Sequence, residues 1–437
     1  MQNLRQDIWV LLSGSLIAKV LNIIKGFIVL RFLTPEMYAL VDIIRNITNL
    51  AKYGDLGFNS VIEREFNYYS EDEQRKVKIL NVGATGETIL AVILSLLVLI
   101  TSLFYFENKL IGWGIVISSF TLFFYKIQRT FETFLRISKR FKEYSQYVVL
   151  ASFLLNIGVI LTVKFINVWA PIIFPLISAS SLVIFMLYKI GLPFSFNWDK
   201  KEVIRQIRIG ILLGGLTLMT GLTIYLERFI IVKHFGLTSL GLYAFFTFLL
   251  TTYLYFLKDI TRAFMPRTLE KLGKKEDGVL IQNVVKPSFY IVFISVLVIF
   301  GIRFLLPMLV YNIFPKYSDA INIIILLSPL ILTNSLANIG GYILYAPGID
   351  KYKRLYLSWV VTLLVMGSYL IINSMFETNL ILLILFFLIA KGLGHMIIYG
   401  SVLSTIIGKI RSIMICSAIS IAVLLHTLIY LYEINYF

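Results

Sequence analysis

The sequence of 437 residues has a single cysteine and only three histidines. Cys416 alone allows no disulfide within the chain, and the few histidines form no cluster with metal-site spacing. Charged residues are scarce as well, at 15% of the chain, where a soluble domain has about 25%. Hydrophobic residues reach 58% and the mean hydropathy is +0.85, so the composition excludes an ordinary water-soluble enzyme.

Acidic residues are outnumbered, with 24 Asp and Glu against 40 Lys and Arg, which gives a formal charge of +16. In a soluble protein this excess would point to nucleic acid. Here most basic residues lie in short loops between apolar runs, so membrane topology explains the excess better. We therefore expect no nucleic-acid partner.

Long apolar runs dominate the chain, and a run of about 18 or more such residues predicts a transmembrane helix. The second run is the weakest, because it contains Asp42, Arg45, Lys52 and Asp55. We count thirteen runs, at about 8–33, 37–62, 79–105, 110–136, 146–165, 168–189, 208–233, 239–264, 284–310, 320–345, 354–373, 379–400 and 411–433. The fold class predicted is an all-α polytopic membrane protein with about 12–13 transmembrane helices.

Loop charges orient these spans, since Lys and Arg concentrate in cytoplasmic loops. With a cytoplasmic N-terminus, every inner loop is basic and the outer loops offer little beyond Lys109, Lys164, Lys233 and Lys316. The first run lacks the features of a cleaved signal and should remain as the first span. An odd number of spans puts the C-terminus outside. The outer loops are too short to hold a catalytic domain, so we expect no enzyme.

A polar segment near the middle suggests two halves. We predict an N-terminal six-helix bundle at 1–192, a cytoplasmic linker at 193–207, a C-terminal bundle at 208–400 and an extra helix at 401–437. The second part of the linker could form a short surface helix with Val203, Ile204 and Ile207 on one side. Phe27–Arg31 and Phe229–Lys233 echo each other, and each is followed by a Tyr-Ala pair, which favours parallel repeats with the site between them.

Charges at bilayer depth are costly and by default line a cavity or pair with each other. The deeper ones here are mainly cationic, which favours binding of an anion, most commonly a phosphate. The predicted cavity cations are Lys19, Lys25, Arg45, Lys126, Arg129, Arg228 and Lys391. Glu227–Arg228 could equally form a structural ion pair.

Buried carboxylates offer a way to couple transport to an ion gradient. The candidates for H⁺ or Na⁺ coupling are Asp55, Glu87, Glu227 and Asp259, and the sequence does not choose among them. No GxxxxGK[ST] loop occurs, so ATP is not the direct energy source. We expect no cofactor and no bound metal.

Four motifs occur in an order that resembles the polysaccharide flippases, the O-antigen and repeat-unit translocases of the MATE-like (multidrug/oligosaccharidyl-lipid/polysaccharide) exporter superfamily. They are LRFLTPEMY at Leu30–Tyr38, GDLGF at Gly54–Phe58 followed by Arg64, ERFII at Glu227–Ile231 followed by Gly236 and LGLYA at Leu240–Ala244, and GYILYAPG at Gly341–Gly348 followed by Lys351–Arg354. Ala39 and Glu227 depart from the family pattern, which more often has Gly and Asp there.

The resemblance implies two pseudo-symmetric six-helix bundles around a central cavity and an alternating-access cycle. It also implies a cargo, an undecaprenyl-pyrophosphate-linked oligosaccharide, and a location in the bacterial inner membrane. Other polysaccharide-assembly proteins would be further partners, and a monomer is expected because the two halves already form one pathway. The alternatives are an ion-coupled drug exporter or a lipid II flippase of the same superfamily, and a membrane glycosyltransferase or polymerase.

Overall fold

The computed structural model describes residues 2–54, 56–66, 72–105, 107–138, 140–273, 286–344, 352–375 and 379–433. Within these ranges the regular elements are all helical, as predicted. The helices are α1 (Gln2–Phe32), α2 (Pro35–Tyr53), α3 (Phe58–Glu65), α4 (Glu73–Ser102), α5 (Lys109–Ile137), α6 (Phe141–Ile166), α7 (Trp169–Ile190), α8 (Lys200–Gly273), α9 (Lys286–Ile313), α10 (Ala320–Leu327), α11 (Leu330–Leu344), α12 (Tyr352–Met375), α13 (Leu380–Ile407) and α14 (Lys409–Glu433).

Polar residues fix where several helices begin. Thr34, Asp72, Asn108 and Asn379 each accept a hydrogen bond from the backbone N–H three residues later, at the starts of α2, α4, α5 and α13. Such caps satisfy N–H groups that have no partner within the helix. Pro35 adds a fixed φ at the first position of α2. The apolar runs are thus delimited by short polar turns.

Nine helices in the described part of the chain are long and apolar enough to cross a membrane, or ten if α10 and α11 form one broken span. Most of the predicted runs coincide with a single helix. The prediction of one span over 320–345 is corrected, because α10 and α11 meet at a bend of 44°. Pro329 lies at this bend, and proline removes a helical hydrogen bond and clashes with the preceding turn.

The run predicted at 37–62 is not one helix either. It divides into α2 and α3, and Gly57 between them has φ of +79°, in the left-handed region that favours glycine. The turn also approaches another backbone closely, since a Cβ placed on Gly57 would lie 2.4 Å from the carbonyl oxygen of Gly210 in α8. A continuous helix through this point would lose that approach.

The long helix α8 contains two predicted spans. Its backbone is non-helical at Gly236, where φ is +80°, between the predicted runs 208–233 and 239–264. The two predicted runs are therefore separate helical segments, which meet within one candidate span at Leu218–Tyr255.

Contacts divide the chain into two compact units, Met1–Arg228 and Phe229–Phe437. In the first unit, α1 packs on α6, α4 on α5, and α5 and α6 on α7. A core cluster of Phe131, Leu135, Tyr147, Leu182 and Met186 joins α5, α6 and α7. In the second unit, α13 is central and packs against α10, α11, α12 and α14.

The predicted surface helix in the linker is wrong. The helix α8 begins at Lys200 and continues without a break into the membrane span, and its early residue Val203 is buried with Phe58 and Val82. Ile204 is exposed on the other side. The contacts therefore place the division of the chain at Arg228, within the seventh predicted span, because the first part of α8 belongs to the core of the first unit.

Charged side chains attach the start of α8 to α3 and α4. Arg205 donates to both oxygens of Glu65, at 3.0 and 2.6 Å, and also to Glu202. Arg75 forms an ion pair with Glu202 at 2.9 Å, and Gln206 donates to Glu202 at 3.1 Å. We call these five residues the α8 base network. The network holds three helices together outside the span that begins at Leu218.

This network predicts a loss of stability in acid. Burial acts to raise the pKa of Glu202, but hydrogen bonds from Arg205 and Gln206 and the charges of Arg205 and Arg75 outweigh it, so the pKa falls below its ordinary 4.5. A carboxyl whose pKa is lower in the folded state stabilises the fold above the unfolded-state pKa, and this stabilisation is lost as the pH falls through the folded-state pKa. We expect the melting temperature to drop as the pH falls below 4.5.

The measurement is thermal unfolding of the purified protein in detergent at a series of pH values. The variant Glu202→Gln should be less stable near pH 7 and should show a shallower decline between pH 4.5 and 3. An unchanged slope in the variant would assign the acid sensitivity to other carboxyls.

Candidate functional site

Polar side chains form a stripe along α2. Tyr38, Asp42, Arg45, Asn49 and Lys52 follow one another at alternating intervals of four and three residues, which places them on one face of the helix. At 1.5 Å per residue, Arg45 lies about 15 Å from the start of α2 and thus near the middle of this 19-residue helix. Its side chain is exposed.

Three cations gather around this stripe. Lys25 of α1 and Lys52 of α2 both lie within electrostatic range of Arg45. Lys25 is half-buried and donates a hydrogen bond to Asn22 at 2.6 Å. We call Lys25, Arg45 and Lys52 the cation cluster. Like charges repel at this range, so the arrangement favours an anion among them.

Lys52 is not among the cations that the sequence predicts to line the cavity. Its ammonium lies 4.2 Å from the centre of the Tyr125 ring of α5, in a cation–π contact. The signal that could have identified it is its spacing of seven residues from Arg45, which keeps both on one face. Arg129, one turn beyond Tyr125 on α5, is half-buried, as is Lys19 on α1.

Arg228 of α8 pairs with Asp42 of α2. Its Nε lies 2.6 Å from the carboxylate, and the two side chains are 11% and 9% exposed. Tyr38 joins this pair to the cation cluster, because its side chain hydrogen-bonds Arg45 and lies within electrostatic range of Asp42 and Arg228. Glu227, which the sequence offered as the partner of Arg228, is fully buried.

Lys126 and Glu87 contact each other. The ammonium of Lys126 on α5 lies 2.9 Å from a carboxylate oxygen of Glu87 on α4, and both side chains are almost fully buried. One was predicted as a cavity cation and the other as a coupling carboxylate. The structure pairs them, so their charges compensate each other within the first unit.

In the second unit, Lys391 of α13 donates a hydrogen bond of 3.4 Å to the Tyr243 hydroxyl of α8. One turn on, the Nδ1 of His395 lies 3.1 Å from the Thr333 hydroxyl of α11. Tyr243 is the residue of the repeated Tyr-Ala pair that corresponds to Tyr38. Both tyrosines are buried and both contact a cation of the predicted set.

Two predicted coupling carboxylates, Asp55 and Asp259, lie outside the residues whose side chains the structure describes. The same holds for most of the fourth sequence motif, at 345–351. Among the described residues, no group of three or more His, Cys, Asp or Glu side chains could hold a metal ion.

Solved structures share this fold over almost their whole length. A multidrug resistance MATE family transporter of the MOP superfamily matches in its inward-facing conformation, with 16% identity, a TM-score of 0.62, and coverage of 94% of this chain and 98% of that chain. A multidrug resistance MATE family transporter of the MOP superfamily in an outward-facing conformation matches with 16% identity, a TM-score of 0.62, and coverage of 95% and 96%. A MOP superfamily transporter from Pyrococcus furiosus matches with 15% identity, a TM-score of 0.64, and coverage of 95% and 96%.

Comparison of the sequence with protein-family models identifies the family of this chain. No curated protein matches the sequence. A family model described as polysaccharide biosynthesis protein matches residues 28–279, which is more than half of the chain and includes α2, α4, α5 and both segments of α8 that frame Gly236. The chain is thus a multi-pass membrane protein with a MATE-like fold, and it belongs to the polysaccharide biosynthesis protein family.

Proposed function

We propose that this protein carries an undecaprenyl-pyrophosphate-linked oligosaccharide repeat unit from the cytoplasmic to the outer leaflet of a bacterial inner membrane. The step is translocation without bond making, so the protein is not an enzyme. Its family supports a role in polysaccharide biosynthesis. The inward- and outward-facing structures of transporters with this fold support an alternating-access cycle.

The cation cluster carries the proposal. Lys25, Arg45 and Lys52 come from two helices, and both lysines lie within electrostatic range of Arg45. Among the described residues, the buried carboxylates of Asp42 and Glu87 pair with Arg228 and Lys126. The three cations of the cluster offer a pyrophosphate positive groups that can replace water around it.

The chemistry of the cluster fits transport rather than tight binding. Arg45 offers a planar fork to phosphate oxygens, while the two lysines act as compact charges on flexible stems. Spaced cations attract the head group without enclosing it in one site, so that it can leave on the other side. The P. furiosus transporter has a binding pocket of reversed polarity that suggests a different function for that protein, which supports the idea that pocket charge varies on this fold.

The direct test is the leaflet location of lipid-linked oligosaccharide in native cells after depletion of this protein. We expect complete repeat units to accumulate on the cytoplasmic leaflet. Normal export in cells that lack a second flippase would refute the proposed cargo and would favour export of small molecules.

Replacing Arg45 by glutamine should weaken cargo binding strongly. A hydrogen bond to a charged group contributes about 1.5–3 kcal/mol, which is roughly a 10- to 100-fold change in affinity. Lys25→Gln should have a smaller effect in the same direction. The measurement is transport of lipid-linked oligosaccharide in proteoliposomes, with protein amount checked in the same vesicles.

Lys164→Gln is the matched control, because Lys164 is an exposed cation at the end of α6. It should transport like the unmodified protein. Equal transport by Arg45→Gln and Lys164→Gln would exclude the cation cluster as the cargo site.

A further inference from the structure

The ion pair between Asp42 and Arg228 lies beside the proposed cargo site, and this inference rests on the function proposed above. The pair joins α2 to α8, with 2.6 Å between Arg228 Nε and the carboxylate. Arg228 also donates to the backbone carbonyl of Ile224, one turn earlier in its own helix. The guanidinium is thus held with one edge on its own helix and one edge on α2.

Tyr38 shows how near this pair lies to the cation cluster. Its side chain is hydrogen-bonded to Arg45 and lies within electrostatic range of both members of the pair. Arg45 also lies three residues from Asp42, on the same face of α2. A phosphate bound by Arg45 would therefore lie next to the Arg228 guanidinium and next to the Asp42 carboxylate that pairs with it.

Two anions then compete for one guanidinium. A buried arginine needs an anionic partner, and either a carboxylate or a phosphate can accept two of its N–H groups. A phosphate close to Asp42 repels it, and this repulsion is relieved if Asp42 leaves Arg228 as the phosphate takes its place. The exchange keeps the Arg228 guanidinium paired with an anion before and after.

We propose that Asp42 is a built-in competitor for the cargo, and that the pyrophosphate displaces it from Arg228. In the empty protein the carboxylate occupies the guanidinium and fastens α2 to α8. In the loaded protein the phosphate occupies it, and α2 is released from α8. Asp42 thereby lowers the affinity for cargo and makes the release of α2 depend on the presence of cargo.

The test measures binding of undecaprenyl pyrophosphate to the full-length protein in nanodiscs. Asp42→Asn should bind the probe about tenfold more tightly, because the Asp42 carboxylate no longer competes for Arg228. In the Arg228→Gln background the same substitution should change the dissociation constant less than twofold. In the Arg45→Gln background the tenfold gain should persist.

The Asp42 carboxylate could also weaken cargo binding by simple repulsion, without leaving Arg228. Measuring Asp42→Asn with and without Arg228 separates this repulsion from the proposed displacement. A gain of equal size with and without Arg228 would show simple repulsion and would overturn the proposal, as would unchanged or weaker binding by Asp42→Asn. If Arg228→Gln does not fold, the double variant Asp42→Asn/Arg228→Gln can be used, because it removes both charges of the ion pair. Its dissociation constant is then compared with that of Asp42→Asn. Equal affinity of these two variants would also overturn the proposal.

Glu63→Gln serves as the control for releasing an arginine elsewhere in the same unit, because Glu63 pairs with Arg136. It should leave the dissociation constant within twofold of the unmodified value. Absence of any binding by the unmodified protein would instead refute the proposed cargo, which distinguishes the failure of the function from the failure of the exchange.

Discussion

Replacing Gly210 by alanine is expected to prevent the first unit from reaching its native packing. A Cβ at this position would lie 2.2 Å from the carbonyl oxygen of Leu56, and one on Gly57 would lie 2.4 Å from the carbonyl oxygen of Gly210. Both obstacles are backbone atoms, so no side chain can rotate to make room. Close approach of backbones at small residues is a common way of packing helices in membranes.

The expected cost is about 3 kcal/mol, at the upper end of the range for overpacked cores. Gly57→Ala adds strain of about 1–2 kcal/mol, because Gly57 is in the left-handed region. The measurements are the yield of monodisperse protein and the melting temperature in detergent. We expect both to fall sharply for either variant.

Gly367→Ala in α12 is the matched control, since no atom lies within 4 Å of a Cβ at that position. It should melt at the same temperature or slightly higher, because alanine favours helix over glycine. Similar losses for Gly210→Ala and Gly367→Ala would show that the contact between the α2–α3 turn and α8 does not determine the stability of the first unit.

Replacing Lys126 by methionine is expected to destabilise the protein at least as much. It would leave the Glu87 carboxylate, which is 1% exposed, without the ammonium at 2.9 Å. Removing one member of a buried pair typically costs about 3–5 kcal/mol, because a charge remains in a medium of low dielectric. The melting temperature should fall accordingly.

The double variant Glu87→Gln/Lys126→Met removes both charges and should recover much of the stability lost in the single variant. Lys76→Met is the control, because Lys76 pairs with Glu73, whose side chain is 76% exposed, and such pairs contribute about 0–1 kcal/mol. A double variant no more stable than Lys126→Met would mean that the pair is needed for more than charge balance.

The sequence predicted the helical spans well because a long apolar run has few other stable structures in a membrane. The prediction was wrong where the end of a helix depends on contact with a distant part of the chain. The division of α2 from α3 requires the approach of Gly210, which lies more than 150 residues after Gly57. Val203 was misplaced for the same reason, since its burial depends on Phe58 and Val82.

The candidate site was predicted in part. Residue type and depth in the span were enough to select Lys25 and Arg45. Pairing was not predictable, because Lys126 meets Glu87 across 39 residues and Arg228 meets Asp42 across 186. The sequence alone gives all of these cations equal importance, whereas the structure shows that Lys126 and Arg228 each have a carboxylate partner.

The α8 base network also has a consequence for biogenesis. Glu65 and its partner Arg205 are separated by 140 residues, so α3 and α4 are synthesised long before the helix that completes their packing. At about 5–20 residues per second, the ribosome needs roughly 7–28 s to supply it. During this interval Glu65 and the surfaces around Gly57 lack their contacts with α8. A membrane chaperone that shields newly inserted helices therefore has a defined period in which to act on this chain.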